Sequence, residues 1–265
     1  MPTKYLSWDD DTALRYLHAG PTTPPDVVPD WTRGATVVFL HGEGGSASHF
    51  DPQMAFFGES NSPLALDLFG HGRSTGLTGA GGIEASAILL LGVLKRLSTP
   101  PVVLVGHGSG GHIALRAAAI GPDQVRAVVT LGVGESSEWP EAEFSKLEAV
   151  VAGRTGQFFD TPFFAPETSP DVMRAFWGGM LQTDPRVRLE DLRDFRSYRS
   201  EGRLPSSSLP VRILRGASDA LCSAPGAAAL AAALGASVTE IPDAGHVPQL
   251  ENPAAVHEAI LEVSG

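Results

Sequence analysis

Short runs of valine, isoleucine and leucine, bounded by glycine or proline, constrain the fold of this 265-residue chain most strongly. Continuous apolar strands of four to seven residues are typical of a parallel sheet that is covered on both faces. Two earlier segments, Tyr5–Trp8 and Ala13–Leu17, predict an antiparallel hairpin joined by an acidic turn. The apolar runs are Thr36–Leu40, Leu64–Leu68, Val102–Val105, Val125–Leu131, Val211–Leu214 and Val238–Ile241.

Helical segments separate these runs. They are predicted at Ile83–Leu97, Gly111–Ile120, Pro225–Leu234 and Pro253–Val263. Pro225 and Pro253 stand at predicted helix starts, where a missing N–H costs nothing. Gly121 and Gly235 stand at predicted helix ends, where a left-handed residue is often needed. The alternation of strand and helix predicts an α/β fold with a doubly wound, mostly parallel sheet.

The segment 135–209 interrupts this alternation, because it is rich in proline and aromatic residues and contains no clear strand. It is inserted between two sheet strands, so it predicts a helical cap over the carboxyl edge of a core domain formed by residues 1–134 and 210–265. Its aromatic residues line an apolar pocket or form the cap's own core. Phe163 and Trp177 are the candidates among them for substrate contact.

Charge and composition exclude several classes of function. The chain has 30 acidic residues against 19 lysines and arginines, a net charge of −11, and no long basic cluster, which argues against nucleic-acid binding. Its most apolar stretch, residues 85–97, is too short to cross a bilayer and predicts a buried helix, so no membrane partner is expected. A single cysteine, Cys222, and an N-terminus without the plan of a signal peptide indicate a cytoplasmic protein.

Five glycine-rich or polar motifs follow predicted strands: His41–Ser46, Asp67–Ser74, Gly106–Gly111, Gly216–Asp219 and Ala244–Pro248. In this order they resemble the α/β-hydrolase superfamily, and the resemblance covers the chain from Thr36 to its end. That family places its nucleophile, acid and histidine in this chain order. The resemblance therefore implies an α/β-hydrolase fold with a catalytic site at the carboxyl edge of the sheet.

The resemblance assigns most of the site residue by residue. Asp219 matches the catalytic acid and His246 the catalytic histidine. The main-chain N–H groups of Ser109 and Glu43 match the oxyanion hole, which binds the negative oxygen of the reaction. Gly42 and His107 flank these positions and are candidate substrate contacts.

The nucleophile is where this chain departs from the family. The family's corner between strand and helix has the sequence Gly-x-Ser-x-Gly, and aligning its glycines with Gly106 and Gly110 puts Gly108 at the serine position. A shifted alignment makes Ser109 the nucleophile. It places His107 where the corner needs glycine and turns the side chain by ~100° along the helix. A third alternative is that Gly108 has been introduced in place of a native serine.

Three functions remain open from the sequence. If Gly108 is native, the His246–Asp219 dyad is a general base without a covalent serine intermediate, acting as a hydrolase, lyase or cyclase on a small, largely apolar carbonyl compound. The alternative is a serine esterase, thioesterase or lactonase that uses Ser109, or a serine replaced at position 108. A non-catalytic member that binds a small ligand is the third possibility.

The remaining polar candidates are expected to have structural roles. His41, His71 and Asp67 are predicted to order the loops near the site through hydrogen bonds. Glu135, which follows a predicted strand, is a reserve for the catalytic acid. No metal-ligand motif and no nucleotide-binding loop is present, so neither a metal nor another cofactor is expected. The oligomeric state is not indicated.

Overall fold

The computed structural model describes residues 3–19, 28–75, 81–135, 139–159 and 162–265. These residues form one sheet of eight strands in the order β1-β2-β4-β3-β5-β6-β7-β8. The hairpin strands β1 and β2 are antiparallel, and β3 to β8 pair in parallel. The predicted doubly wound, mostly parallel sheet is therefore confirmed. The strands are β1 Thr3–Ser7, β2 Ala13–His18, β3 Thr36–Leu40, β4 Ser62–Leu66, β5 Val102–His107, β6 Val125–Leu131, β7 Val211–Gly216 and β8 Ser237–Ile241.

Helices pack on both faces of the sheet. In β3, Val38 and Leu40 are buried in the same apolar cluster as the inner face of α2, whereas Val37 and Phe39 are buried with α1 and α9 on the other face. Both faces of the central strands are therefore apolar, which explains their continuous apolar sequence. The helices are α1 Asp51–Phe57, α2 Gly82–Arg96, α3 Ser109–Ile120, α4 Glu141–Val151, α5 Pro170–Met180, α6 Pro185–Ser197, α7 Ala224–Leu234, α8 Pro248–Glu251 and α9 Pro253–Ser264, with 3-10 helices at Ala47–Phe50 and Pro122–Gln124.

Strand β4 differs from its prediction by two residues at each end. It begins at Ser62 and ends at Leu66, before the predicted end at Leu68. The cause lies at Asp67, whose carboxylate accepts hydrogen bonds from the Ala47 N–H at 2.7 Å and from Arg15 at 2.9 Å. These bonds take the chain out of the sheet and into the loop that faces the site.

Helix α2 contains most of the apolar stretch predicted as a buried helix. Its inner face, which includes Leu90 and Leu94, is buried, but Ile88 on the outer face is 56% exposed. The helix therefore covers the sheet on one side only, and the prediction of a buried helix was too broad. Within the described residues, no helix is long and apolar enough to span a membrane.

The described parts of segment 135–209 contain the three helices α4, α5 and α6 and no strand. The side chains of Ser169 and Asp184 accept main-chain N–H groups at the starts of α5 and α6, which fixes where these helices begin. Helix α5 packs against the 3-10 helix at residues 47–50, where a His49 ring nitrogen lies 2.9 Å from the Phe176 carbonyl oxygen. Helix α6 packs against α2 and α4.

Candidate active site

The corner between β5 and α3 is the centre of the site. His107 ends β5, Ser109 begins α3, and Gly108 between them has φ 52° and ψ −125°. A positive φ favours glycine. A Cβ atom on Gly106 would overlap the main chain of Gly110, so the close approach of strand and helix also requires glycine there. Gly108 therefore occupies the turn position itself.

Two predicted catalytic residues meet at the carboxyl edge of the sheet. His246 Nδ1 lies 3.1 Å from both carboxylate oxygens of Asp219. The same carboxylate accepts the main-chain N–H groups of Leu221 at 2.8 Å and Cys222 at 2.9 Å. Asp219 is thus fixed by the backbone, and it orients the imidazole with Nε2 on the opposite side of the ring, without a hydrogen-bond partner among the described residues.

Two hydrogen bonds to the main chain of His246 hold its loop in place. Its N–H donates to the Phe163 carbonyl at 2.6 Å, and its carbonyl lies 2.9 Å from His107 Nε2, which donates to it. The His107 and His246 rings are 4.8 Å apart, and the Phe163 ring is 5.9 Å from His246. The structure therefore places His107 and Phe163 beside His246.

Glu251 is a positioning residue that the sequence analysis missed. One carboxylate oxygen accepts the N–H groups of Gly245 at 2.8 Å and Val247 at 3.2 Å, on either side of His246. The other accepts the N–H of Ala165 at 2.7 Å and is bonded by the Thr168 hydroxyl. Glu251 thus ties the histidine loop to the segment that precedes α5.

The Glu43 side chain occupies the predicted oxyanion hole. Its carboxylate accepts the Ser109 N–H at 3.0 Å and interacts with its own main-chain N–H. A Cβ atom on Gly108 would lie 2.8 Å from one carboxylate oxygen, so the carboxylate fills the space beside the missing side chain. Sequence reasoning assigned only the main-chain N–H of Glu43 to the site, and it missed the side chain.

Burial and charge shift the acid–base properties of these groups. Burial raises the pKa of the Glu43 carboxyl to about 7, although the charge of His246 lowers it in part. Burial lowers the pKa of His246, but the charge and hydrogen bond of Asp219 outweigh burial and raise it above the ordinary value. Burial raises the pKa of Asp219, but His246 and the two main-chain N–H groups hold it below the ordinary value. The site therefore favours a charged His246 beside carboxylates.

The Ser109 side chain belongs to a neighbouring cleft. It lines this cleft with Leu68, His71 and Ile83. Its main-chain N–H is directed to Glu43, and no hydrogen bond joins its hydroxyl to His246 among the described residues. The structure thus brings Ser109 to the corner without pairing it with the catalytic histidine.

Three predicted loop residues form a hydrogen-bond network next to the corner. His41 accepts the Leu68 N–H at 3.0 Å, and Asp67 accepts the Arg73 N–H at 2.8 Å. His71 Nδ1 donates to the Phe69 carbonyl, and Nε2 lies 2.5 Å from Asp191. Because both ring nitrogens of His71 face acceptors, the surroundings favour its protonated form. Burial lowers its pKa, but Asp191 raises it above the ordinary value.

Arg188 on α6 is a buried cation that the sequence analysis also missed. It is 4% exposed, and its stem packs on Gly44, next to Glu43. Its Nε has no hydrogen-bond partner in the described part of the chain, and its guanidinium lies 5.7 Å from the centroid of the Phe158 ring. Burial lowers the pKa of Arg188 to about 10, while the charges of Glu143 and Glu43 raise it in part.

Comparison with known proteins places this site in a family. Residues 37–259 match the sequence profile of the "Alpha/beta hydrolase family". The chain belongs to that family. It is 22% identical to 3-oxoadipate enol-lactonase 2 of Acinetobacter baylyi over 96% of this chain and 93% of that protein. It is 27% identical to the pimeloyl-[acyl-carrier protein] methyl ester esterase of Stenotrophomonas maltophilia, over 86% and 92%. The malate-bound thermophilic esterase of Thermogutta terrifontis shares the fold, with a TM-score of 0.80 and 21% identity over 99% and 97%.

The other candidates of the alpha/beta hydrolase site lie around this centre. Gly42 packs against the His107 ring, where a Cβ would lie 2.9 Å from Nδ1. Trp177 is buried, with its ring 5.7 Å from that of Phe163. Glu135 is exposed in the loop after β6, which ends at Leu131. In the described part of the chain, no three histidine, cysteine or acidic residues are grouped as metal ligands.

Proposed function

We propose that this alpha/beta hydrolase hydrolyses a carboxylic ester or lactone beside Gly108, with the His246–Asp219 pair moving the protons. The observation that carries this proposal is the buried pair, in which Asp219 orients an imidazole whose Nε2 has no partner among the described residues. A histidine held in this way is suited to exchange a proton with a reacting oxygen. The relatives named as an enol-lactonase and a methyl ester esterase support hydrolysis.

These relatives give no support to the lyase and cyclase reactions that Gly108 suggested, or to a non-covalent mechanism. The serine-esterase alternative fits them better, and hydrolysis is accordingly the proposed reaction. In that alternative the attacking oxygen belongs to Ser109. Ser109 stands one residue after the family's serine position, so direct labelling is needed to test whether its hydroxyl is reactive.

The proposed substrate carries a free carboxylate in addition to the bond that is cleaved. The buried Nε of Arg188 has no hydrogen-bond partner among the described residues, and an anionic group of the substrate would supply one. Arg188 lies against the loop that carries Glu43, so a carboxylate bound there reaches the corner region. Two related proteins support a substrate with a free carboxylate. One is named 3-oxoadipate enol-lactonase 2, and the structure of the Thermogutta terrifontis esterase is described as malate bound. This proposal modifies the largely apolar substrate that the sequence suggested.

Residues 135–209 are assigned as a cap over this site. Helix α6 supplies Arg188, and also Asp191, which accepts the Gly44 N–H at 3.2 Å and pairs with His71. The aromatic rings of Phe163, Phe176 and Trp177 pack on one another, and the Phe163 ring lies 5.9 Å from that of His246. We expect them to form the apolar wall against which the substrate's carbon chain packs.

The test is hydrolysis itself. The purified protein is mixed with monomethyl esters of short dicarboxylic acids and with lactones, and acid release is followed by titration at constant pH. We expect release that is proportional to protein concentration with at least one monoester. Acid release no faster than the protein-free rate with every compound would contradict the proposed function.

A further inference from the structure

The space beside Gly108 is filled by a carboxylate that the corner itself holds. One oxygen of Glu43 lies 2.8 Å, and the other 3.3 Å, from the position that a Cβ of residue 108 would take. The side chain is 6% exposed and is anchored by the Ser109 N–H at 3.0 Å. An acidic oxygen therefore lies against the position that the Cβ of a serine at residue 108 would take.

The charged groups around Glu43 favour proton transfer to and from its carboxylate. His246 faces it from the loop after β8, and Asp191 and Arg188 face it from α6. With a pKa of about 7, the carboxyl group changes its protonation near neutral pH, as an efficient base does. Burial lowers the pKa of His246, but Asp219 raises it above the ordinary value, which favours the protonated imidazole. The two groups form an acid–base pair whose members come from different loops.

We propose that the Glu43 carboxylate, held beside Gly108, is the general base that activates water for the hydrolysis, and that His246 is the general acid. This assignment rests on the proposed function, because it concerns the same bond cleavage. It reverses the role that the sequence gave to His246. It also gives the N–H group of Ser109 a different task, which is to hold the base rather than the substrate's oxyanion.

The reaction balances with water as the only co-reactant. The water oxygen bonds to the substrate's carbonyl carbon while one water proton passes to Glu43. The tetrahedral intermediate then breaks its bond to the leaving oxygen, which keeps the electron pair and takes the proton of His246 Nε2. Transfer of the proton from Glu43 to His246 restores both groups, and an acid and an alcohol are released.

The test compares Glu43→Gln with the wild-type protein on a monoester that the wild type hydrolyses. We expect kcat/KM to fall about 100-fold or more, because glutamine keeps the shape and loses the base. Glu59→Gln, which removes an exposed carboxylate, is the matched control and should leave kcat/KM within about twofold. Unfolding by denaturant, followed for both variants, separates loss of the base from loss of the fold.

The pH profile supplies a readout that does not depend on a variant. With Glu43 as base and His246 as acid, wild-type kcat/KM should fall below about pH 7 as Glu43 gains a proton. It should fall again at alkaline pH as His246 loses its proton. A profile that stays level at alkaline pH, or a folded Glu43→Gln variant with wild-type kcat/KM, overturns the assignment while the proposed function stands. A wild type without any ester turnover overturns both.

Discussion

The substitution His246→Ala is expected to lower kcat/KM for ester hydrolysis by about 10³–10⁴-fold. His246 is the one described histidine that Asp219 orients, and its Nε2 has no other partner among those residues. Removal of such a proton-transfer group leaves only binding and the remaining electrostatic interactions to accelerate the reaction. The measurement is the initial rate of acid release from the best monoester, with wild type and variant at equal concentration.

The matched control for this experiment is His257→Ala. His257 lies on α9, and its ring stacks on Phe56 at 4.2 Å, so its removal changes the number of histidines without touching the site. We expect kcat/KM of this control to remain within about twofold of the wild type. If a folded His246→Ala variant kept more than a tenth of the wild-type rate, the catalytic role of the dyad would be wrong.

The substitution Arg188→Met is expected to lower kcat/KM for the monoester of a dicarboxylic acid by about 2–3 orders of magnitude. Loss of one partner of a desolvated charge pair costs about 2–5 kcal/mol. The corresponding dimethyl ester has no free carboxylate, and its kcat/KM should therefore change by less than about threefold. Measurement of both substrates with both proteins gives the selectivity ratio directly.

Stability distinguishes a substrate-binding role of Arg188 from a structural one. The Nε of this buried side chain has no hydrogen-bond partner among the described residues, so methionine should leave the free energy of unfolding unchanged or raise it. Arg193→Met on the same helix removes an exposed cation that pairs with Glu148 and is the control. An equal loss of kcat/KM for monoester and diester would contradict carboxylate recognition by Arg188.

The fold followed from local sequence to a large extent. The runs that form β3, β5 and β6 are apolar on both faces, because α2 and α3 cover one side and α1 and α9 the other. The end of β4 was not predictable in the same way. It depends on Asp67, whose hydrogen bonds reach Arg15 and Ala47, which lie 52 and 20 residues earlier in the chain.

The candidate site was likewise predictable from the sequence only in part. The positions of Asp219 and His246 were indicated by motifs directly after their strands, because that order is shared by the family. The Glu43 carboxylate was not indicated, since its partner Ser109 lies 66 residues away and only the turn at Gly108 leaves it room. Glu251 was missed for a similar reason, because one of its partners, Ala165, lies 86 residues away.

The most direct test of the proposed base role of Glu43, which requires no serine nucleophile, is labelling with a fluorophosphonate followed by intact mass and peptide mapping. We expect the wild type to hydrolyse ester and remain unlabelled. Gly108→Ser should gain one adduct at position 108, because the Glu43 side chain that crowds this position can shift. An adduct on Ser109 of the wild type that disappears in His246→Ala would contradict the claim and establish the displaced serine as the nucleophile.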